Sequence, residues 1–323
     1  MVRNRDRHDK PLRSVICVDC GLVWTDPRPS PEDERAFYAH DYRRDYKGVE
    51  QPKLKHVHRS GLAAVDRWRR VRELVPKPGM IMDIGAGGGE FLYMGAKLGH
   101  CVRGVEPNQG YARYASETLG LPIQAGFYQD VVVDEGSLDL LTLFHVVEHL
   151  ENPLEAISTC RTWLKPGGSL MVEVPNVEAT CQHPSSQFHR GHLYHFNPVN
   201  LSQMMRRAGL EPLTPWLSAD GGNVAVIGTN PTSGPGGNHP PSSVTNHPAW
   251  AIPGNHLRVR RVLDGHTGLN HMLKPAPYVR PISKLMTRTR EWLGVRGTSD
   301  GRELLDRLFD QHLAAWAPDR QSA

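Results

Sequence analysis

The chemistry-bearing part of this chain begins at Met82-Asp83-Ile84-Gly85-Ala86-Gly87-Gly88-Gly89-Glu90. Glycines allow positive φ and let backbone approach a ligand closely. A dinucleotide fingerprint counted from Gly85 would need a third glycine at position 90. Glu90 stands there, and a carboxylate in the first turn of a helix would repel a pyrophosphate seated on its N-terminus. The pattern present is G-x-G-x-G, with Asp83 two residues ahead of Gly85, and it suits a ligand without phosphates. Glu106 closes the next apolar run, about where an acidic side chain accepts hydrogen bonds from both ribose hydroxyls. Histidines supply the second chemistry. His145-Val-Val-Glu148-His149 has the H-x-x-E-H order of a zinc peptidase family, but that site needs both histidines on one helical face, and His145 ends a predicted strand. His183, His189, His192 and His195 form a second group. An imidazole titrating near neutrality suits proton removal from a hydroxyl acceptor.

The elements that must position these residues alternate. Val65, Trp68, Val71 and Val75 set an apolar stripe of helical spacing, ended by Pro76 and Pro78. Strands are expected at Met80 to Ile84, Cys101 to Val105, Leu121 to Ala125, Leu138 to Phe144, Ser169 to Val174 and Asn223 to Thr229. Helices are expected at Glu90 to Leu98, Gly110 to Leu119, Pro153 to Leu164 and Leu201 to Ala208. Such alternation predicts an α/β protein with a largely parallel sheet covered by helices on both faces. Composition divides the chain into four parts. Residues 1–59 form a segment rich in charge, Pro and aromatics, in which little core is expected. Residues 60–230 form the α/β domain, residues 231–256 a Pro/Gly-rich linker, and residues 257–323 a helical extension. In the extension, Ile282 to Leu293 and Asp300 to Trp316 are predicted helical. The second opens on Asp300-Gly-Arg-Glu303, a capping-box pattern, and carries Leu304, Leu305, Leu308, Phe309 and Leu313 in one stripe that must be buried on the domain or on a partner.

A net charge of +4, 39% hydrophobic and 22% charged residues exclude a wholly disordered chain of 323 residues. No apolar run reaches the ~20 residues of a membrane span. The charged N-terminus and five scattered cysteines point to a reduced, cytoplasmic protein.

Five motifs in order, Asp83-Ile-Gly-Ala-Gly-Gly-Gly89, Gly104-Val-Glu106-Pro107, Phe144-His-Val-Val-Glu-His149, Leu164-Lys-Pro-Gly-Gly168 and Val172-Glu-Val-Pro-Asn176, span roughly residues 65 to 228. Together they resemble the class I S-adenosylmethionine (SAM)-dependent methyltransferases. The resemblance implies a Rossmann-like sheet of seven strands, the last antiparallel, with SAM across the carboxyl ends of the strands. It implies that Asp83, Gly85, Gly87 and Gly89 hold the methionine end, that Glu106 with Pro107 serves the ribose, and that Gly126 and Phe127 lie by the adenine. Asp130 is the nearest acidic residue for the adenine amine. Phe144 and His145 would face the sulfonium and the substrate. His145, His192 and His195 are the catalytic candidates, the first for positioning and the others for proton removal. Glu148 and His149 also resemble the Glu-His pair of the ubiquinone-biosynthesis O-methyltransferases, whose E-x-x-E-H motif can hold a divalent metal. Here His145 replaces the first carboxylate, which disfavours a hard cation, and no metal is expected.

Cys17-x-x-Cys20 with Asp26-Pro-Arg-Pro-Ser30 resembles the second knuckle of a zinc ribbon that precedes this domain in some relatives. A structural zinc needs four ligands, so no stable zinc is expected. Basic residues dominate Arg258 to Arg296, yet no RNA-binding module accompanies them. The implied function is methyl transfer from SAM to oxygen, nitrogen or carbon of a small molecule or glycan. The alternative is a non-catalytic or RNA-directed SAM-binding protein using its basic extension.

Overall fold

The computed structural model describes residues 2–28, 51–181, 187–232, 251–265, 273 and 276–316. His183, Pro29 and Ser30 of the Asp26-Pro-Arg-Pro-Ser30 motif and most of the expected linker lie outside them. The first strands are β1 (Arg3–Arg5), β2 (Pro11–Ile16) and β3 (Val23–Thr25). There follow α1 (Leu54–Val71), β4 (Met80–Ile84), α2 (Glu90–Lys97), β5 (Cys101–Glu106), α3 (Gln109–Glu117) and β6 (Ile123–Ala125). Next come β7 (Leu138–Phe144), α4 (Pro153–Trp163), β8 (Leu164–Pro175), β9 (Tyr194–His195) and α5 (Pro198–Arg207). The chain continues through β10 (Glu211–Pro212), β11 (Trp216–Leu217) and β12 (Asn223–Thr229). It closes with α6 (Asn255–Asp264), α7 (Ala276–Val295) and α8 (Gly301–Trp316). The architecture is the mixed α/β sheet of seven principal strands that the sequence implies, with C-terminal helices.

Two compact units form, each from segments far apart in sequence: residues 1–34 with 133–283, and residues 35–132 with 284–323. In the second, β4, β5 and β6 pair in parallel, in that order. Helix α1 starts at Leu54, ahead of the composition boundary at residue 60, and buries Val57, Ala64, Val65, Trp68 and Val71. The Trp68 indole donates to the Phe91 carbonyl at 2.8 Å and stacks on Phe91 and His100, with centroids at 4.9 and 5.2 Å. The stripe of α8 finds its place here: Leu304, Leu305, Leu308 and Phe309 are buried. A Cβ on Gly61 of α1 would lie 2.8 Å from both Leu305 and Leu308, so only glycine allows this approach. The helix start is capped as its sequence predicts in one direction, Glu303 N–H donating to Asp300 Oδ1 at 2.9 Å. The Glu303 carboxylate instead accepts from the N–H and hydroxyl of Ser299.

In the first unit, β7 and β8 are parallel, β12 runs antiparallel to β8 through seven paired residues, and β10 and β11 add antiparallel to β12. All seven residues of β7 are buried, as expected of a central strand with both faces covered. Residues 1–28 differ from the expectation of little core. Strands β1, β2 and β3 form an antiparallel sheet that β9 completes, pairing Val23 with His195 and Trp24 with Tyr194. Val23 packs with Val177, Phe188, Val259 and Leu263, the last two from α6. Helix α6 is a further element that composition left within the linker and extension. Its Asn255 amide donates to the Cys20 carbonyl at 2.7 Å, which ties it to the β2–β3 turn.

Candidate active site

The glycine loop leaves the buried end of β4. Asp83 is buried, and Gly85, Gly87 and Gly89 have φ of 73°, 59° and 83°, the left-handed region in which a side chain is strained. A Cβ on Gly87 would meet nothing within 4 Å, whereas one on Gly89 would lie 2.6 Å from Leu121. Gly87 therefore borders open space, and Gly89 allows α2 to pack. Glu106 is buried at the end of β5, with Pro107 next to it. It accepts the Gly87 N–H at 2.8 Å on one oxygen and the Asn108 N–H at 2.9 Å on the other. One carboxylate thus fixes both the loop and the start of α3, where Asn108 caps Tyr111 N–H at 3.0 Å. Beyond β6, Gly126 N–H donates to the Glu106 carbonyl at 3.1 Å, and Asp130 folds back to accept the Phe127 N–H at 3.2 Å. Asp130, three residues beyond Phe127, thereby lies beside Gly126 and Phe127.

The histidine cluster belongs to the other unit. His145 follows Phe144 with φ of 57°, uncommon for a non-glycine residue and a form of strain found at functional sites. Its N–H donates to the Glu173 carbonyl at 2.8 Å. Its imidazole is partly exposed between two carboxylates, with Nδ1 3.4 Å from Glu148 and Nε2 3.5 Å from Glu173. Burial opposes its charge, but the negative charge of the adjacent Glu148 and Glu173 carboxylates prevails and raises its pKa to about 9. Glu148 is buried and is the hub: its Oε1 also lies 3.7 Å from His149 Nε2 and 4.0 Å from His192 Nε2. Neither carboxylate oxygen has a hydrogen-bond partner among the described residues. His149 Nδ1 meets the Gly191 carbonyl, an acceptor that places the proton on Nδ1 and leaves the Nε2 lone pair toward Glu148.

His189 packs on His192 with centroids 3.7 Å apart, and His195 stands 6.0 Å from His192 and 4.5 Å from Phe188. Burial holds the pKa of His195 at about 3 and, helped by neighbouring positive charge, that of His189 at about 2 and that of His192 well below its usual value. All three are neutral near pH 7. The structure thus joins His145 and His192 through Glu148 and sets His195 behind them. Sequence reading missed Glu173 and the Gly191 carbonyl. An acidic residue within the apolar run of β8 was the available signal for Glu173.

A methyltransferase-domain family model matches residues 56–214, which contain the glycine loop, Glu106 and the histidine cluster. Residues 56–214 are a methyltransferase domain of the class I SAM-dependent family. The chain is 34% identical over 106 residues to a ubiquinone biosynthesis O-methyltransferase of Colwellia psychrerythraea, covering 30% of this chain and 42% of that protein. It is 29% identical over 150 residues to one of Dinoroseobacter shibae, covering 41% and 60%. The chain spans about two-fifths of the length of the first of these relatives. A solved SAM-dependent methyltransferase of Aquifex aeolicus aligns over 63% of this chain and all of its own, with TM-score 0.43 and 14% identity. The family implies SAM, and the cradle suits it: loop amides and glycine φ leave space at Gly87, and a carboxylate with about four acceptor positions can serve a diol while holding two amides.

Among the described residues, Glu148, His149 and His192 form a group whose ligand atoms lie within 4.8 Å of one another, and they could hold a metal ion. One carboxylate with two imidazoles is a donor set for zinc, manganese or iron more than for magnesium.

Proposed function

We propose that the methyltransferase transfers the methyl group of SAM to a hydroxyl oxygen of a small molecule or glycan, with His145, an imidazolium near neutral pH, positioning the acceptor oxygen while the hydroxyl proton leaves to solvent. The observation that carries this is the partly exposed His145 imidazole, held between Glu148 and Glu173 directly after β7. Support for oxygen as the acceptor comes from the names of the relatives, which are O-methyltransferases. Within this reading Asp83, Gly85, Gly87 and Gly89 hold the methionine end, Glu106 and Pro107 the ribose, Gly126 and Phe127 the adenine, and Phe144 borders the donor. SAM supplies an activated methyl, so the chain has to align the acceptor and exclude water. Glu148 and Glu173 orient His145 and stabilise its imidazolium form. His192 and His195, the proton acceptors proposed from sequence, are buried behind Glu148 and in this reading keep the cluster in shape. A reducing, cytoplasmic setting is part of the proposal, and the odd number and scattered positions of the five cysteines support it.

The test is methyl transfer from labelled SAM into pooled metabolites and glycans, with wild type, His145→Ala, His192→Ala and His195→Ala. His145→Ala should lose at least tenfold in kcat with SAM affinity within twofold. Unchanged kcat in His145→Ala would remove it from the chemistry, and binding of NAD in place of SAM would overturn the whole reading.

A second reading rests on the Glu148, His149 and His192 group. These residues would hold a divalent cation, which when bound would lower the pKa of an acceptor hydroxyl. Calorimetric titration of the chelator-treated protein with zinc or manganese decides it. Binding should vanish in His192→Ala, and equal binding by that variant would refute it.

A further inference from the structure

We infer that α7 docks the protein onto an anionic lipid surface, lying in the plane of the bilayer interface. At 100° per residue, Tyr278, Ile282, Leu285, Met286, Trp292 and Leu293 fall within an arc of about 120° of the helix. All six are exposed, Ile282 by 63%, Leu285 by 66% and Trp292 by 60%. A contiguous apolar face of this kind on a soluble surface marks a docking site.

The other side of α7 is already used. Glu291 is buried and accepts from Arg59 Nε at 2.8 Å, and Gly294 closes against the His58 ring. Those anchors orient the apolar arc away from α1.

The charge pattern selects the occupant. Arg288 and Arg290, both exposed, lie about 40° beyond the two borders of the arc. Arg280 and Lys284 precede Arg288 at four-residue steps. Arg296 stacks on the Trp292 ring at 5.3 Å. Within α7 the only acidic residue is Glu291, which is paired with Arg59. An apolar face flanked by basic residues, with Tyr278 and Trp292 near its ends, fits lipid tails under anionic headgroups. A second copy would oppose arginine to arginine around the same face, which is repulsive. No helix among the described residues is long and apolar enough to cross a membrane, so the contact is peripheral.

Cosedimentation of the full chain with vesicles of phosphatidylglycerol and phosphatidylcholine tests this against vesicles of phosphatidylcholine alone. Binding to the anionic vesicles is expected, weakening as salt rises. Each Lys or Arg near such a surface contributes about fivefold in partitioning, so Arg288→Ser with Arg290→Ser should lower it about 25-fold. Leu285→Asp with Trp292→Asp, at exposed positions, should abolish it while SAM binding and thermal stability stay at wild-type values. Equal partitioning to both vesicle types, or retention by the aspartate variant, would overturn the inference. So would a dimer in light scattering that this variant dissolves, because the arc would then serve a second copy.

Discussion

Replacing Glu106 tests the cofactor cradle at its most informative atom pair. Its carboxylate accepts Gly87 N–H at 2.8 Å and Asn108 N–H at 2.9 Å, so the side chain has both a structural and a ligand-facing task. Hydrogen bonds to a charged group contribute about 1.5–3 kcal/mol each. Losing the ribose contact in Glu106→Ala should therefore raise the Kd for SAM about 10- to 150-fold. Freeing the two amides should also lower folding stability by about 1–3 kcal/mol. Glu106→Gln separates the tasks. Its amide oxygen can accept one N–H, its NH2 cannot accept the other, and the charge is gone, so it should fall between wild type and alanine in both measurements. Isothermal titration with S-adenosylhomocysteine gives the affinity, and urea unfolding gives the stability. If Glu106→Ala folds and binds within threefold of wild type, Glu106 does not hold the ribose and the assignment of the cradle fails with it.

Three further outcomes follow from packing and charge. Leu305→Ala empties a fully buried position of α8 against α1 and should cost about 2–5 kcal/mol in urea unfolding; a loss under 0.5 kcal/mol would mean α8 is not part of that core. At Asp306, burial opposes the charge, but the bonds from Lys97 at 2.7 Å and Tyr93 at 2.8 Å prevail and lower its pKa. Its folded pKa lies below the unfolded one, so its stabilisation is present above about pH 4 and lost as pH falls further. Asp306→Asn should flatten that acid limb of a thermal-melt series, and an unchanged limb would refute the coupling. Thr25→Val removes the hydroxyl that donates to the His192 carbonyl at 3.1 Å and should cost about 1–3 kcal/mol, read by differential scanning calorimetry, with no change expected if that carbonyl finds another donor.

The cofactor cradle was legible in the sequence because its determinants are local. Gly85, Gly87, Gly89 and Glu106 lie within 22 positions, and strand-loop-helix geometry converts that spacing into a shape with few alternatives. Part of the histidine cluster was legible for the same reason: His145 and Glu148 are three apart. The rest was not. His192 reaches Glu148 across 44 positions, and Glu173 joins only through the pairing of β7 with β8, which sets Phe144 opposite Glu173. Strands β1 and β3, three residues each, are too short for an alternating pattern to stand out, and the partner of β3 is the two-residue β9. The buried stripe of α8 was evident from periodicity, but periodicity does not say what covers a stripe. Gly61, which admits it to α1, has no pattern of its own.

The short strands matter because of what they make possible. Gln187, His189, His192, His195 and Asn197 are all buried in a stretch whose only strand is the two-residue β9. A buried loop is tolerated only where its backbone groups find partners. Residues 1–28 supply several of them: Arg7 N–H donates to the Phe188 carbonyl at 2.8 Å, Thr25 N–H to the Leu193 carbonyl at 2.9 Å, and β3 pairs with β9. Glu148 adds its own carbonyl, which accepts the Leu193 N–H at 2.9 Å. The carboxylate hub and the histidine stretch are thus fastened to each other by backbone, and the stretch is fastened again to the N-terminal sheet. A segment whose composition suggests an appendage is a wall of the histidine cluster. Its hydrogen bonds help hold His192 within reach of Glu148.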